Sequence, residues 1–306
     1  MSRTILVLGG HEDEHTRVTL HLLQERGYDA ELLDSRWFPT QMQMSFNPAN
    51  GEWTLRLPSG RVLGPRAVRS VYWRCYNGVE TPPLPDPEQS YIAHNDARGL
   101  FESWLIHAPL RWVNGWTAFQ MHQTKPVQLA AVAAQGVPIP ATVLGNEADA
   151  IRRFGRDYSQ SIFKPIQGGA HTRRVTMQHL SDANLKNLSI APVTLQEEIF
   201  GTNIRVFVAG QRVLACEVQS RNVDFRDTDN PTIVPHQLPE PIIEQARQIA
   251  RTLHLIWTGI DYRLTPQGQY VFLEANPSPM FLGFEARCGL PLTEALLSLL
   301  TASEGP

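Results

Sequence analysis

Three oxygen-bearing side chains near the C-terminal end of the sequence, Asp261, Glu274 and Asn276, have the spacing to share one face of a hairpin. Thr265-Pro266-Gln267-Gly268 between them supplies the proline and glycine of a tight turn. Folding symmetrically about Gln267 and Gly268 sets Asp261 opposite Glu274, and opposed Cβ atoms in an antiparallel pair lie about 4.5–5.5 Å apart. The two-residue period of a strand adds Asn276 to that face. Two carboxylates so close need a cation between them or a shared proton. A small all-oxygen donor set suits Mg²⁺, which keeps some waters and takes other ligands from substrate phosphates. A solvated hairpin with incidental acids is the plain alternative, because a one-residue slip turns each side chain to the other face.

Phosphates would also require cations. Lys164 ends the short apolar run Ser161-Ile162-Phe163 and precedes a glycine pair, Gly168-Gly169, followed by Arg173 and Arg174. Paired glycines let backbone N–H groups approach an anion, and a lysine adds a point charge. Lys125 falls in the first turn of an expected helix, where the helix dipole favours acids. A ligand phosphate would relieve that misfit; an exposed lysine is the alternative.

Other chemistry is weakly signalled. His11-Glu12-Asp13-Glu14-His15 matches the spacing of a zinc-protease helix, but it follows a strand and a double glycine, so His11 should precede the helix. A polar strand-to-helix loop, with the cleft as one thing it could face, is the simpler expectation. Gly9-Gly10 lacks the further glycines of a dinucleotide fingerprint and is followed by acids. Cys75, Cys216 and Cys288 are widely separated and read as ordinary core or surface thiols in a reducing compartment. The chain has 306 residues, 42% hydrophobic and 19% charged, with net charge −3. That describes a globular protein, and the charge argues against a general nucleic-acid binder. With no long apolar run or signal-peptide core, neither membrane insertion nor export is expected, and the cytoplasm is the default location.

These side chains need elements to hold them. A strand over Thr4 to Leu8, a helix to about Arg26 and a strand over Tyr28 to Leu33 open a parallel α/β unit. A hairpin follows around residues 47–51, then a buried strand at Val71-Tyr72-Trp73, a proline-rich loop over Thr81 to Pro87 and a helix from about Tyr91 to His107. Thr124 sits at the cap of the next helix, with Pro126 in its first turn and Gly136 as its stop. Beyond residue 193 come paired strands over Arg205 to Val208 and Arg212 to Val218. A helix containing Ile242 to Leu253, the metal-bearing hairpin and a last helix over Pro291 to Leu300 complete the chain. The pattern changes near 115 and 193 and suggests units 1–115, 116–193 and 194–306.

In order, the chain shows Lys125, Lys164 with its glycine loop, Leu195-Gln-Glu197-Glu198-Ile199, Asn203-Ile-Arg205, then Asp261, Glu274 and Asn276. This resembles the ATP-grasp ligase superfamily over nearly the whole chain. Within it the sequence is most similar to the microviridin or graspetide synthetases, which macrocyclise ribosomally made peptides. Trp37-Phe38-Pro39, Tyr72-Trp73-Arg74, Trp112-Val-Asn114, Val137 to Thr142, Asp224-Phe225-Arg226 and Gly289 to Leu292 support the likeness. The resemblance implies an α/β (α+β) ATP-grasp fold. A parallel N-terminal domain would precede central and C-terminal domains, with nucleotide between the latter two. It implies ATP and Mg²⁺, with Lys125, Lys164, Gly168 and Gly169 on the phosphates and Glu197, Glu198 and Ile199 as the hinge meeting adenine. Asn203 would meet the ribose, Arg205 and Arg226 would neutralise the γ-phosphate and the acyl phosphate, and Asp261, Glu274 and Asn276 would hold the metal. Asn203 replaces the family's usual acid, and residues 277–284 depart from the Gly-Gln-Trp-type run that the family has near the acceptor, so the substrate end of the site is expected to differ. The implied activity joins an Asp or Glu side chain of a ribosomally made peptide to a Ser/Thr hydroxyl or a Lys amine, as an ester or amide. A homodimer is expected only because two-fold dimers are the commonest assembly. Adding an amino acid to a peptide or small-molecule carboxylate is the alternative, and a non-catalytic nucleotide-binding module is the rival outside enzymes.

Overall fold

The computed structural model of the chain describes residues 3–167, 172–219 and 231–302. Strand β1 (Thr4–Leu8), helix α1 (Glu14–Glu25) and strand β2 (Ala30–Leu33) open the chain, and β1 is buried throughout. A small antiparallel sheet follows, built of β3 (Gln43–Phe46), β4 (Trp53–Arg56) and β5 (Val62–Leu63). Strand β6 (Val68–Trp73), helix α2 (Pro87–His107) and strand β7 (Trp112–Val113) complete a parallel sheet in the order β2-β1-β6-β7. Helix α2 begins earlier than the sequence suggests. Asp86 accepts the Glu88 N–H at 2.9 Å and Pro87 follows it, so the end of the expected loop is a helix start.

Two helices come next, α3 (Trp116–Gln123), which the sequence reading did not separate, and α4 (Lys125–Ala133). Thr124 is the N-cap residue of α4, as the sequence suggests, but its hydroxyl donates back to Gln120 O at 2.8 Å instead of accepting an α4 N–H. The carbonyls ending α3 need a donor, and a threonine already in that turn supplies it. The central sheet, in the order β10-β9-β11-β8, comprises β8 (Thr142–Gly145), β9 (Ser161–Lys164), β10 (Arg173–Arg174) and β11 (Val193–Glu197). Helix α5 (Ala148–Asp157) and the short α6 (Asp182–Leu185) pack beside it. A division at residue 193 would cut β11 off from its own sheet; the chain leaves that sheet after Glu197.

The third sheet is antiparallel, in the order β14-β13-β12-β15-β16. Its strands are β12 (Thr202–Ala209), β13 (Arg212–Gln219), β14 (Thr232–Pro235), β15 (Trp257–Leu264) and β16 (Tyr270–Asn276), with α7 (Glu240–Thr252) inserted before β15. Helices α8 (Leu282–Cys288) and α9 (Leu292–Thr301) close the described chain. The fold is thus mixed α/β with parallel and antiparallel sheets.

The cores show which parts pack together. Ile5, Val7 and Tyr72 of the first sheet share a buried cluster with Trp257, Phe281 and the α9 leucines Leu292, Leu296 and Leu300. Each fully buried leucine contributes roughly 1.5–3 kcal/mol. Ser70 Oγ donates to Leu300 O at 2.8 Å, and buried Asn114 donates to Pro277 O at 2.5 Å and accepts from Ile256 N at 2.6 Å. Leu129 and Val132 of α4 pack with Ile204, Ile260 and Phe272, so α4 rides on the third sheet. The central sheet keeps a small cluster of its own around Ile151, Leu185, Leu188 and Leu195.

Candidate active site

The hairpin of β15 and β16 pairs Asp261 with Glu274 and Gly259 with Asn276, the pairing that the sequence suggests near its metal face. The path to it is different. Leu264 pairs with Tyr270 across a loop centred on Gln267, with Gly268 at φ 83°, and the register then shifts between Asp261 and Tyr262. Leu273 is the extra residue, and this bulge restores the opposition of the two acids. The Asn276 amide nitrogen lies 3.4 Å from Glu274 Oε1, so both side chains occupy one face.

Cations already surround these acids. Lys125 Nζ donates to Glu274 Oε2 at 2.7 Å, and Arg205 Nη1 lies 2.6 Å from Asp261 Oδ1. Burial opposes ionisation of Glu274, but Lys125, Lys164 and Arg205 outweigh it and bring its pKa down to about 2. Arg205, buried on β12, points its guanidinium across the sheet at 5.6 Å from the Phe207 ring and 5.7 Å from that of Phe284. Gly259 makes room for it: a Cβ there would lie 2.8 Å from Arg205 Nε and 2.9 Å from Pro279 Cβ. Arg205 Nε has no hydrogen-bond partner among the described residues.

Lys164 enters from the other side, at the end of β9. Its ammonium donates to the neutral Gln196 Oε1 at 3.0 Å, and Gln196 in turn donates to Thr142 Oγ1 at 2.9 Å. Burial pushes the pKa of Lys164 down, partly offset by the charge of Glu274. Among the described residues Lys164 forms no salt bridge, so an anion bound beside it would meet a largely desolvated charge.

One cleft of about 510 Å³ brings these groups together, lined by Lys125, Lys164, Glu197, Glu198, Ile199, Asn203, Arg205, Asp261, Glu274 and Asn276. Glu197 and Glu198 sit where the chain passes from β11 to β12. Glu197 Oε2 accepts the Ala141 N–H at 3.2 Å, while the exposed Arg174 grips the buried Glu198 through two bonds of 2.8 and 2.7 Å. Gly201 follows at φ 148°, and a Cβ there would lie 2.0 Å from Leu264 O, so the turn into β12 admits glycine alone. Gly168, Gly169 and Arg226 lie outside the described residues.

Sequence reasoning missed several lining groups. His122, near the end of α3, contacts Ala275 O at 3.3 Å, and burial holds its pKa below the usual range. Gln196 stands inside the stretch quoted for its neighbours, between Leu195 and Glu197, and alternation along β11 was the available signal. Ser278, Pro279 and Met280 also line the cleft; they belong to the stretch 277–284 that the sequence likeness sets at the substrate end.

The run His11 to His15 does not form a helical zinc pair. Helix α1 starts at Glu14 with Asp13 as its cap, so His11 lies outside it. His11, Glu12 and Asp34 do come within 4.8 Å of one another, but Arg36 binds Glu12 at 2.8 Å and Asp34 at 2.5 Å, which balances those acids. The three cysteines are free thiols.

Residues 125–300 match the profile of a RimK-like ATP-grasp domain. The chain is 28% identical over 234 residues to Beta-citrylglutamate synthase B of Danio rerio, an alignment covering 70% of this chain and 55% of that protein. It is 30% identical over 189 residues to a probable alpha-L-glutamate ligase of Xanthomonas oryzae pv. oryzae, covering 56% of this chain and 62% of the relative. It therefore spans a little over half the length of these curated relatives. Among solved structures, the ATP-grasp ligase PsnB complexed with a minimal precursor superposes with a TM-score of 0.85 at 27% identity, over 98% of each chain. The macrocyclase MdnC of Microcystis aeruginosa MRC, bound with precursor peptide MdnA, gives a TM-score of 0.84 at 22% identity, over 98% of this chain and 100% of the other, and shares the fold. With more than half of its length matched by that profile, the chain belongs to the RimK-like ATP-grasp family.

Proposed function

We propose that this chain is an ATP-dependent ligase that activates a carboxylate as an acyl phosphate and passes the acyl group to a hydroxyl or amine. The favoured substrate is a ribosomally made peptide, in which Asp or Glu side chains are joined to Ser, Thr or Lys. The observation that carries this reading is the meeting, in one cleft, of Lys125, Lys164 and Arg205 with Asp261, Glu274 and Asn276.

The donor set fits Mg²⁺: two opposed carboxylates and an amide oxygen, all hard donors, on one strand-pair face. Asp261, Glu274 and Asn276 would hold the ion, which when bound supplies charge neutralisation at phosphate oxygens. The chain's own residues do the rest. Lys125 and Lys164 hold the phosphates from opposite sides of the cleft, and residues 197–199 and Asn203 receive the nucleoside. The substrate carboxylate oxygen attacks the γ-phosphorus, ADP leaves, and the resulting acyl phosphate is attacked at carbon by the acceptor, releasing phosphate. Arg205 faces that region with Nε free to donate, so it would stabilise charge that grows on the transferring group; Arg226 is assigned the same task.

End-to-end superposition on PsnB at 27% identity supports the peptide substrate. The glutamate-ligase relatives support a second reading, addition of an amino acid to a small-molecule carboxylate. Mass spectrometry separates the two. The enzyme is incubated with ATP, Mg²⁺ and either a peptide rich in Asp/Glu and Ser/Thr/Lys or L-glutamate with candidate carboxylates. Loss of one water per linkage within the peptide supports macrocyclisation, and a mass gain of one glutamyl residue supports the second reading. ATP turnover unaffected by every carboxylate would leave a nucleotide-binding module. A homodimer in the cytoplasm completes the proposal; none of the described helices is long and apolar enough to cross a membrane.

A further inference from the structure

Two side chains of the His11–His15 run are tied to the segment that follows β16, Asp13 through Arg74 and His15 directly. Asp13 caps α1, accepting the Thr16 N–H at 2.7 Å, and is gripped by Arg74 Nε and Nη2, each at 3.0 Å. The remaining amine of Arg74, Nη1, crosses to Ser278, donating to its carbonyl at 2.8 Å and its hydroxyl at 3.0 Å. His15, 4% exposed, accepts the N–H groups of Phe281 at 2.9 Å and Leu282 at 3.3 Å through Nε2. Its ring meets the edge of Phe281 with centroids 4.8 Å apart. Both anchors hold the segment 278–282, which begins two residues after Asn276.

Residues 278–280 of that segment line the cleft. Lys164 and Glu197 belong to the central sheet, whereas Ser278, Pro279 and Met280 follow β16 and are tied to the first sheet's side of the molecule by Arg74 and His15. Accepting two N–H groups through Nε2 demands a neutral imidazole with its proton on Nδ1. Burial and the Arg74 guanidinium favour that state, against the opposing pull of Asp13 and Glu14.

We infer that His15 and Arg74 are positioning residues for the substrate end of the cleft. They fix the Ser278–Met280 wall against which the carboxylate-bearing substrate is held, and they act through that backbone without touching nucleotide. The inference rests on the ligase reading above for what occupies that end.

The test compares His15→Ala and His15→Gln with the wild-type chain. A glutamine amide oxygen lies near the place of Nε2 and can accept the same N–H groups. Three quantities are read: hydrogen exchange of the Phe281 and Leu282 amides, affinity for Mg²⁺·AMPPNP by calorimetry, and KM for a synthetic Asp/Glu- and Ser/Thr/Lys-containing peptide against KM for ATP. His15→Ala should speed exchange at these two amides about tenfold or more, as expected for opening of a local site rather than the whole fold. It should leave AMPPNP affinity within about twofold and raise the peptide KM about tenfold, since small misplacement of a positioned group has effects of that size. His15→Gln should restore all three readings toward wild type. Unchanged exchange in His15→Ala, or an equal loss of AMPPNP affinity, overturns the inference. If the wild-type chain turns over no carboxylate, the ligase reading falls, while exchange and nucleotide affinity still decide whether His15 holds this wall.

Discussion

Glu274 is the side chain on which the site's charge balance turns. Its carboxylate, brought to a pKa of about 2 against the cost of burial, is salt-bridged to Lys125 at 2.7 Å. Glu274→Gln keeps the shape and removes the charge, leaving Lys125 without its ionic partner and replacing an anionic donor of the proposed metal set with a neutral amide oxygen. ADP release driven by substrate should fall about 100-fold or more, while the circular dichroism spectrum stays that of the wild type. A turnover rate equal to wild type would remove Glu274 from the metal set. The buried His15 and the half-buried His122 give a prediction of opposite chemistry. His15 and His122 both have pKa values held below the ordinary 6.5, chiefly by burial. The unfolded chain therefore binds more protons than the folded one below that pH. Their contribution to stability is complete above 6.5 and is lost as pH falls through the lowered folded values, so thermal midpoints should drop over that interval. His15→Gln should flatten the drop; an unchanged pH dependence would show that His15 is not held neutral. At this scale Lys125, Lys164 and the acid pair were legible, because charge in an apolar strand or at a helix start stands out locally. The role of His15 was not, since its partner amides lie 266 and 267 residues away.

Elements explain why the legible residues converge. The two acids face each other because a loop centred on Gln267 and a bulge at Leu273 compensate, and a symmetric turn happens to give the same pairing at Asp261. The hairpin was readable from Thr265-Pro266-Gln267-Gly268; the bulge was not, because no local residue type demands one. Gly259 carries a sharper consequence. It stands opposite Asn276 on β15 with the Arg205 guanidinium lying over it. Gly259→Ala sets a methyl group 2.9 Å from both Arg205 Cζ and Pro279 Cβ, so the guanidinium and the Pro279 ring must both shift. The expected result is a loss of about 1–3 kcal/mol in stability, the usual cost of overpacking. Turnover should fall about tenfold or more, as for other displaced charge-stabilising donors. Equal kinetics in the variant would mean that Arg205 is not needed where it lies. Thr124 gives the reverse lesson: its type and position read as a cap for α4, but the hydroxyl serves α3, a helix whose low amphipathic contrast hid it.

Across the whole molecule, the first and third sheets are one packed body, joined by the α9 leucines, Asn114, Ser70 and the Arg74–Ser278 contacts. The central sheet packs around its own small cluster and contributes Lys164 to the cleft, while Lys125 rides on the third sheet through α4. The two lysines proposed to hold phosphate thus come from separately packed parts of the chain. The change from parallel to antiparallel organisation was visible in the sequence as a change from strand-helix alternation to strand pairs. The packing of α9 on β6 was not, because leucine periodicity shows that a helix is buried without showing against what. All of this depends on a triphosphate and a divalent ion sharing the cleft, and the most direct measurement is a crystal structure grown with Mg²⁺ and AMPPNP. The phosphates should lie between Lys125 and Lys164, with the metal bound to Asp261, Glu274 and Asn276. Nucleotide bound elsewhere, or a metal with none of those three oxygens among its ligands, would contradict it.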